Sequence, residues 1–179
     1  MRYAQGQNND KEALRAYCLN MRKNLEYKQA SSEDFTQTIE FKKADVIFCY
    51  VSAFNEIGTH SLIKELIKEK TVVVPKCINK NGEMICVRIF SFTELEKGMF
   101  GIYEPKKDDA FDKKQIDTVI MPGVAFDRHG HRMGFGKGFY DRFLSDISPY
   151  KIALSHKELI FDEIPYDEKD ICMDKIIEY

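Results

Sequence analysis

Short, almost continuously apolar runs separated by amphipathic stretches constrain the fold of this chain most strongly. Such a run is typical of a strand whose sheet is covered on both faces, as parallel sheets usually are. Six strands are predicted, at residues 45–51, 71–75, 84–90, 117–121, 151–155 and 172–178. Helical patterns lie between them, so the sequence predicts an α/β fold. We expect a single domain with a three-layer α/β/α architecture and a mostly parallel sheet.

Three helices are predicted before the middle of the chain. Asp10 is the expected N-cap of the first helix. Its apolar stripe consists of Leu14, Tyr17, Cys18, Met21 and Leu25. A second, shorter helix is expected over residues 31–43, and a third over residues 61–69 with Thr59 as its N-cap. Residues 97–115 are polar and rich in Gly and Pro, which predicts a long functional loop.

The composition narrows the classes of function. The chain has 179 residues, of which 44% are hydrophobic, enough for one ordinary core. Its 27 basic and 29 acidic residues argue against nucleic acid as the main partner. No apolar run reaches the roughly 18 to 20 residues that span a bilayer, and the N-terminus lacks a signal-peptide core. We therefore predict a cytoplasmic protein with a flexible leader at residues 1–10 and no membrane partner, and we assume a monomer.

The five cysteines are Cys18, Cys49, Cys77, Cys86 and Cys172. They form no Cys-x-x-Cys pair, and their spacing suits neither a zinc site nor a disulfide framework. Reduced thiols in the core are the expected state.

A glycine-rich basic segment follows the strand predicted at residues 117–121. Residues 132–138, with the sequence RMGFGKG, are called the glycine loop below. Its three glycines let a backbone approach a ligand closely, while Arg132, Lys137 and the start of the next helix favour an anion. Asp141 in that helix is an oxygen ligand of the kind that Mg²⁺ prefers. The pattern favours nucleotide phosphate as the ligand, with a merely structural basic loop as the alternative.

The glycine loop matches neither common nucleotide fingerprint. A P-loop requires Ser or Thr where Gly138 follows Lys137, and the Rossmann spacing requires a glycine three residues after Gly136. A different kind of phosphate site is therefore predicted.

This segment resembles the signature of the 5-formyltetrahydrofolate cyclo-ligase family. The resemblance begins with MPGVAFD at Met121 and continues as R-x-G-x-G-x-G-F-Y-D to Asp141. Three other segments also resemble the family: KEALR from Lys11, YVS from Tyr50 with EIGT from Glu56, and DICMDKII from Asp170. The resemblance implies conversion of 5-formyltetrahydrofolate and ATP to 5,10-methenyltetrahydrofolate, ADP and phosphate, with Mg²⁺ as cofactor. Residues 11–179 would form the catalytic domain.

The resemblance also implies which residues form the site. Arg132 and Lys137 would be the catalytic cations. ATP would be bound by Lys11, Arg15, Arg132, Met133, Gly134, Phe135, Gly136, Lys137, Gly138, Phe139 and Tyr140. The folate would be bound by Val51, Glu56, Phe135, Gly136, Lys137, Gly138 and Phe139. The metal would be held by Asp141 and Asp170, with Asp174 as the alternative to Asp170.

Several alternatives stay open at this point. From residue types alone, Lys11 and Arg15 form a solvated basic helix face, with Arg22 and Lys23 further along. Position 139 is Phe where the resembled family commonly has Tyr, so a polar contact would be lost while stacking is kept. A small-molecule kinase, or a folate- or nucleotide-binding protein without catalysis, would suit the same pattern.

Overall fold

Four α-helices and eleven strands account for most of the regular structure. The structure is a computed structural model that describes residues 8–168 and 170–179. Its helices are α1 (Asn8–Arg22), α2 (Ile39–Lys43), α3 (His60–Leu66) and α4 (Phe139–Phe143). Its strands are β1 (Val46–Cys49), β2 (Thr71–Cys77), β3 (Met84–Ile89), β4 (Leu95–Lys97), β5 (Tyr103–Pro105), β6 (Thr118–Met121), β7 (Ala125–Asp127), β8 (Arg132–Met133), β9 (Tyr150–Ser155), β10 (Ile160–Phe161) and β11 (Lys175–Glu178).

A six-stranded sheet in the order β11-β9-β6-β1-β2-β3 forms the centre of the fold. Strands β1, β2, β6, β9 and β11 run parallel, and only the edge strand β3 is antiparallel to its neighbour. The prediction of an α/β fold with a mostly parallel sheet is therefore confirmed. Because the parallel strands share one direction, their carboxyl ends meet at a single edge, where ligands of open α/β sheets gather.

Both faces of the central sheet are covered. Within β1, Ile47 and Cys49 belong to a cluster that includes Phe41 of α2 and Leu62 of α3. Phe48 points the other way, into a cluster that contains Phe143 of α4. This alternation explains why β1 is apolar at every position, and it produces the predicted arrangement of helices on both sides.

The first helix packs elsewhere. Leu14 and Cys18 of α1 lie in a third cluster with Ala125 and Met133 of a small sheet, in the order β10-β7-β8. This sheet was missed in the sequence because its strands have only two or three residues, too few for a periodic pattern. It fixes the start of the glycine loop, since Arg132 and Met133 form β8.

The single helix predicted over residues 31–43 is wrong. The chain forms a 3₁₀ turn at Ser32–Phe35 and then α2. The interruption allows Phe35 and Phe41 to stack with ring centroids 4.2 Å apart. Six residues apart on one α-helix, these rings would point in different directions.

Other boundaries also need correction. Helix α1 begins at Asn8, so residues 8–10 are not leader and Asp10 lies in the first helical turn, while residues 1–7 lie outside the described part. Strand β11 begins at Lys175 instead of residue 172, because the Met173 amide donates to the Gly130 carbonyl and the Asp174 carboxylate accepts from the Lys151 amide. None of the helices described has the length and apolar character that a bilayer span requires.

Candidate active site

A cleft of about 570 Å³ opens at the carboxyl ends of the parallel strands. Tyr50 and Val51 line it after β1, Pro122 after β6, and Cys77 at the end of β2. Strand β2 continues past its last pairing with β1 at Val73 and pairs only with β3 from there on. The neighbouring strand has ended at that level, and this difference in length leaves the space that the cleft occupies.

The glycine loop forms one wall of the cleft. Gly136 and Gly138 have φ angles of 91° and 63°, a region that residues with a Cβ rarely adopt. The loop is anchored by Arg15, whose Nε donates to the Gly134 carbonyl at 2.9 Å. Helix α4 behind it has only five residues, so the helix dipole expected to favour an anion is small. Attraction for an anion must therefore come mainly from the cations around the loop.

Four basic side chains reach the cleft, and acidic partners hold two of them. Lys11 contacts Asp167 at 2.6 Å and also contacts Asp170. Burial alone would lower the pKa of Lys11, but the two carboxylates outweigh it, so its pKa is raised and its charge is secure.

Arg132 is buried and its Nη2 donates to Asp141 Oδ1 at 2.7 Å. Lys137, in contrast, is exposed and makes no side-chain hydrogen bond or ion pair with any described residue. Lys137 can thus move onto a bound anion without breaking a hydrogen bond or an ion pair to any described residue.

A buried carboxylate lines the same cleft as these cations. Glu56 is 9% exposed, and the Ala53 amide donates to its Oε2 at 2.8 Å. Burial raises the pKa of Glu56 to about 7, because its charged form loses hydration. Around neutral pH this side chain is divided between a carboxylate and a carboxylic acid.

The loop that carries Glu56 is held by several hydrogen bonds. The Thr59 hydroxyl donates to the Tyr50 carbonyl at 2.7 Å and accepts from the Ser52 amide. Thr59 is the residue before α3, as predicted, but its side chain fastens this loop and does not cap the helix. Phe54 and Asn55 have positive φ angles of 50° and 59°. Strain of this kind is concentrated at binding sites.

Comparison with known proteins identifies the family. The model of the 5-formyltetrahydrofolate cyclo-ligase family matches residues 7–178. The chain belongs to this family. The mouse 5-formyltetrahydrofolate cyclo-ligase is 31% identical over 152 residues, 77% of this chain and 75% of that protein. The Escherichia coli K12 cyclo-ligase is 30% identical over 141 residues, 75% and 78% of the two chains.

Solved structures agree with the cyclo-ligase assignment. The NMR structure of Aquifex aeolicus 5,10-methenyltetrahydrofolate synthetase superposes with a TM-score of 0.81 and 33% identity, covering 94% of this chain and 89% of that one. The structure of the 5,10-methenyltetrahydrofolate synthetase from Mycoplasma pneumoniae superposes with a TM-score of 0.68 and 25% identity, covering 94% of this chain and 98% of that one. The fold of the present chain is therefore that of the cyclo-ligase family.

Nearly all the residues predicted for a cyclo-ligase site line this one cleft. They are Lys11, Arg15, Val51, Glu56, Arg132, Gly134, Phe135, Gly136, Lys137, Gly138, Phe139, Tyr140, Asp141 and Asp170. Met133 does not, because its side chain is fully buried in the cluster beneath α1. In β8 the Met133 side chain points away from the cleft. The prediction that Met133 binds ATP is therefore wrong for its side chain.

The cleft is also lined by residues outside the predicted ligand-binding set. They are Tyr50, Phe54, Pro75, Cys77, Met84, Phe100, Ile102, Tyr103, Glu104, Pro122 and Asp167. Four of these come from the segment predicted as a long loop, which includes the turn and the second strand of the β4–β5 hairpin. The Gly and Pro content marked that segment as unusual, but no motif within it pointed to individual side chains.

Two carboxylates could contribute to a metal site. Asp141 uses Oδ1 for Arg132, and Asp170 uses Oδ2 for Lys11, so each has a second oxygen without a hydrogen bond to any described residue. Asp174 is distant from the cleft, since it contacts Lys151 at the start of β9, at the amino ends of the strands. Residues 8–168 and 170–179 contain no group of three or more side chains able to hold a metal ion. A cation in the cleft would therefore need substrate or water oxygens as well.

Proposed function

We propose that the protein closes 5-formyltetrahydrofolate to 5,10-methenyltetrahydrofolate with the conversion of ATP to ADP and phosphate. The observation that carries the proposal is that an anion-binding wall and a buried carboxylate share one cleft. Lys11, Arg15, Arg132 and Lys137 suit a triphosphate. Glu56 suits the amino-pyrimidine edge of a pterin, because a carboxylate accepts two hydrogen bonds. The family match over residues 7–178 supports one catalytic unit.

The reaction needs positioning and charge stabilisation more than a protein nucleophile. The formyl oxygen attacks the γ-phosphorus of ATP, and ADP leaves. N10 then attacks the formyl carbon, the carbon–oxygen bond to phosphate breaks, and the N10 proton is released. Cys77 is the thiol at this cleft, and burial raises its pKa to about 12, so it is a neutral thiol near pH 7. The geometry thus favours direct transfer between the two substrates over a covalent enzyme intermediate.

The basic side chains have distinct roles in this proposal. Arg132 is fixed by Asp141 and by the Pro122 carbonyl, so it can stabilise developing phosphate charge without reorganising. Lys137 is the mobile cation that follows the transferred phosphoryl group. Lys11 and Arg15, both on α1, would hold the rest of the triphosphate. Phe139 offers an apolar surface, and its ring meets the Phe100 ring edge-to-face with the two ring centroids 6.0 Å apart.

Mg²⁺ fits the carboxylate oxygens of this cleft. Hard oxygen donors are its preferred ligands, and it typically uses one or two carboxylates with phosphate oxygens and water. Asp141 and Asp170 would hold it. When bound, Mg²⁺ neutralises phosphate charge and orients the triphosphate.

Replacing Asp141 by asparagine is expected to raise the Mg²⁺ concentration for half-maximal activity by about 10- to 100-fold. The amide oxygen still accepts from Arg132, so the fold should be retained. A magnesium titration of the initial rate measures the change. Asp109→Asn, on the exposed surface, is the matched control. An unaltered titration for Asp141→Asn would remove this residue from the metal site.

One assay separates the proposed reaction from its two rivals. Protein, Mg-ATP and 5-formyltetrahydrofolate are mixed, and both the absorbance of the methenyl product and the release of ADP are followed. The proposal expects the two to appear together in equal amounts. ADP without methenyl product would indicate a kinase, and binding without turnover would indicate a binding protein.

A cytoplasmic location and a monomeric state stay predictions.

A further inference from the structure

Arg22, the last residue of α1, is a buried arginine whose charge is only partly compensated. Its side chain is 4% exposed. Nη2 donates to the carbonyls of Gly123 and Val124, the latter at 3.0 Å. Nε and Nη1 are buried and hydrogen bond to no described residue. Since an unsatisfied buried donor costs roughly 1 to 3 kcal/mol, this arrangement calls for a further interaction.

A small cavity lies between Arg22 and the candidate active site. Its volume is about 10 Å³, and Arg22, Tyr50, Glu56, Ser155 and His156 are among its lining residues. This volume is close to the lower limit of about 10 to 15 Å³ for one water molecule. Glu56 also lines the main cleft. Glu56 therefore lies, with Tyr50 and Pro122, between the small cavity and the substrate space.

Several titratable groups face Glu56, and Arg22 is the positively charged one. From the other elements around it come Tyr50 after β1, Tyr140 in α4 and His156 after β9. Burial raises the pKa of both tyrosines well above the ordinary value, so their hydroxyls are neutral. Burial lowers the pKa of His156, so its ring is neutral at pH 7. Of the described groups that face Glu56, Arg22 is the one that carries a positive charge, since arginine does not lose its proton in proteins.

We infer that Arg22 is a positioning residue that favours the ionised form of the Glu56 carboxylate across the small cavity that both residues line. The inference rests on the proposed function of Glu56 in binding the folate. Arg22 also lies beneath Phe135 of the glycine loop, 5.8 Å from its ring centroid. It thus contacts the wall of the cleft but lines only the small cavity.

This role has a specific consequence for pH dependence. Burial raises the pKa of Glu56 to about 7, while the Ala53 amide and the Arg22 charge oppose that rise. Removing the charge should raise the pKa further, by about one unit. Glu56 would then be protonated over a wider range, and the ionised fraction at pH 7 would fall about fivefold. Raising the pH should restore it.

The test compares Arg22→Gln, which can still donate to the two carbonyls, with Arg22→Lys, which keeps the charge. The pKa of Glu56 is measured by carbon-13 NMR on the ligand-free protein, with Glu56→Gln to assign the signal. The KM for 5-formyltetrahydrofolate is measured from pH 6 to about 9, the range in which the carboxyl group titrates. For Arg22→Gln we expect a pKa raised by about one unit and a KM about fivefold higher at pH 7, converging on the native value near pH 9. Arg22→Lys should stay within about twofold of the native values at each pH.

The outcomes distinguish this inference from the proposed function. An unchanged Glu56 pKa in Arg22→Gln would overturn the role of Arg22, and so would a rise in KM that is equal at every pH, as a general loss of structure would give. A normal folate KM in Glu56→Gln itself would instead reject Glu56 as the folate ligand. If Arg22→Gln does not fold, a native-like pH profile for Glu56 must persist in Arg22→Lys, and its loss there contradicts the inference.

Discussion

Replacing Lys137 by alanine is expected to reduce kcat by about 10²- to 10³-fold, the range for removing one group that stabilises transition-state charge. The side chain is exposed and makes no hydrogen bond or ion pair with another described residue, so the free energy of unfolding should change by less than about 0.5 kcal/mol. The charge acts on the transferred phosphoryl group, so the loss should appear in kcat more than in the KM for the folate.

Steady-state kinetics together with a thermal melt measure both parts of this prediction. Lys68→Ala is the matched control, since Lys68 is an exposed lysine outside the cleft. It should leave both kcat and the melting temperature at the native values. Native kcat in Lys137→Ala would show that this lysine has no part in the chemistry.

Replacing Glu56 by glutamine is expected to raise the KM for 5-formyltetrahydrofolate by about 10²-fold. The buried carboxylate can accept two hydrogen bonds from the pterin, whereas the amide that replaces it has only one acceptor oxygen. The same change should stabilise the fold above neutral pH. The folded pKa of about 7 exceeds the ordinary 4.5, so the native protein holds a proton that the unfolded chain releases. Native stability therefore falls as the pH rises from about 4.5 to 7, by on the order of 3 kcal/mol.

Glutamine has no such titration, so Glu56→Gln should melt at a higher temperature than the native protein at pH 8 and at a similar one at pH 4. Melting curves across this range measure the difference. Glu69→Gln, on the exposed surface, should follow the native protein at every pH. Equal melting temperatures at pH 8, together with an unchanged KM, would contradict both the strained burial of Glu56 and its role in binding. A higher melting temperature of Glu56→Gln at pH 8, together with a raised KM, would show that Glu56 serves binding at the expense of stability.

The parts of the fold that the sequence predicted well are those with strong local patterns. The continuous apolar run of β1 indicated a strand covered on both faces, and the structure places it inside the sheet with β2 and β6 as neighbours. The glycine loop was located by residue type and spacing alone. In both cases the information lies within about ten neighbouring residues, which is the distance over which periodicity and turn chemistry act.

Features set by tertiary contacts were not predictable in this way. Phe100 and Glu104 reach the cleft because a short hairpin folds over it, and nothing in their neighbourhood required that. Cys172 was expected among the core thiols, yet it is exposed, because the chain before β11 is held by Gly130 and not by the sheet.

Arg22 and Lys23 illustrate the same limit. The sequence placed both on a solvated basic face of the first helix, and Lys23 is indeed exposed. Arg22 is buried because α1 ends against the turn after β6, where two carbonyl groups accept from its guanidinium group. Only the position of that turn in the fold distinguishes two adjacent basic residues.

We propose that the glycine loop binds the triphosphate of ATP beside a pterin held at Glu56. A crystal structure with Mg²⁺ and a non-hydrolysable ATP analogue tests it most directly. We expect phosphate oxygens within hydrogen-bonding distance of Lys137 and of the backbone amides between Gly134 and Gly138. A nucleotide bound elsewhere, with this loop unchanged and without contact to phosphate, would contradict it.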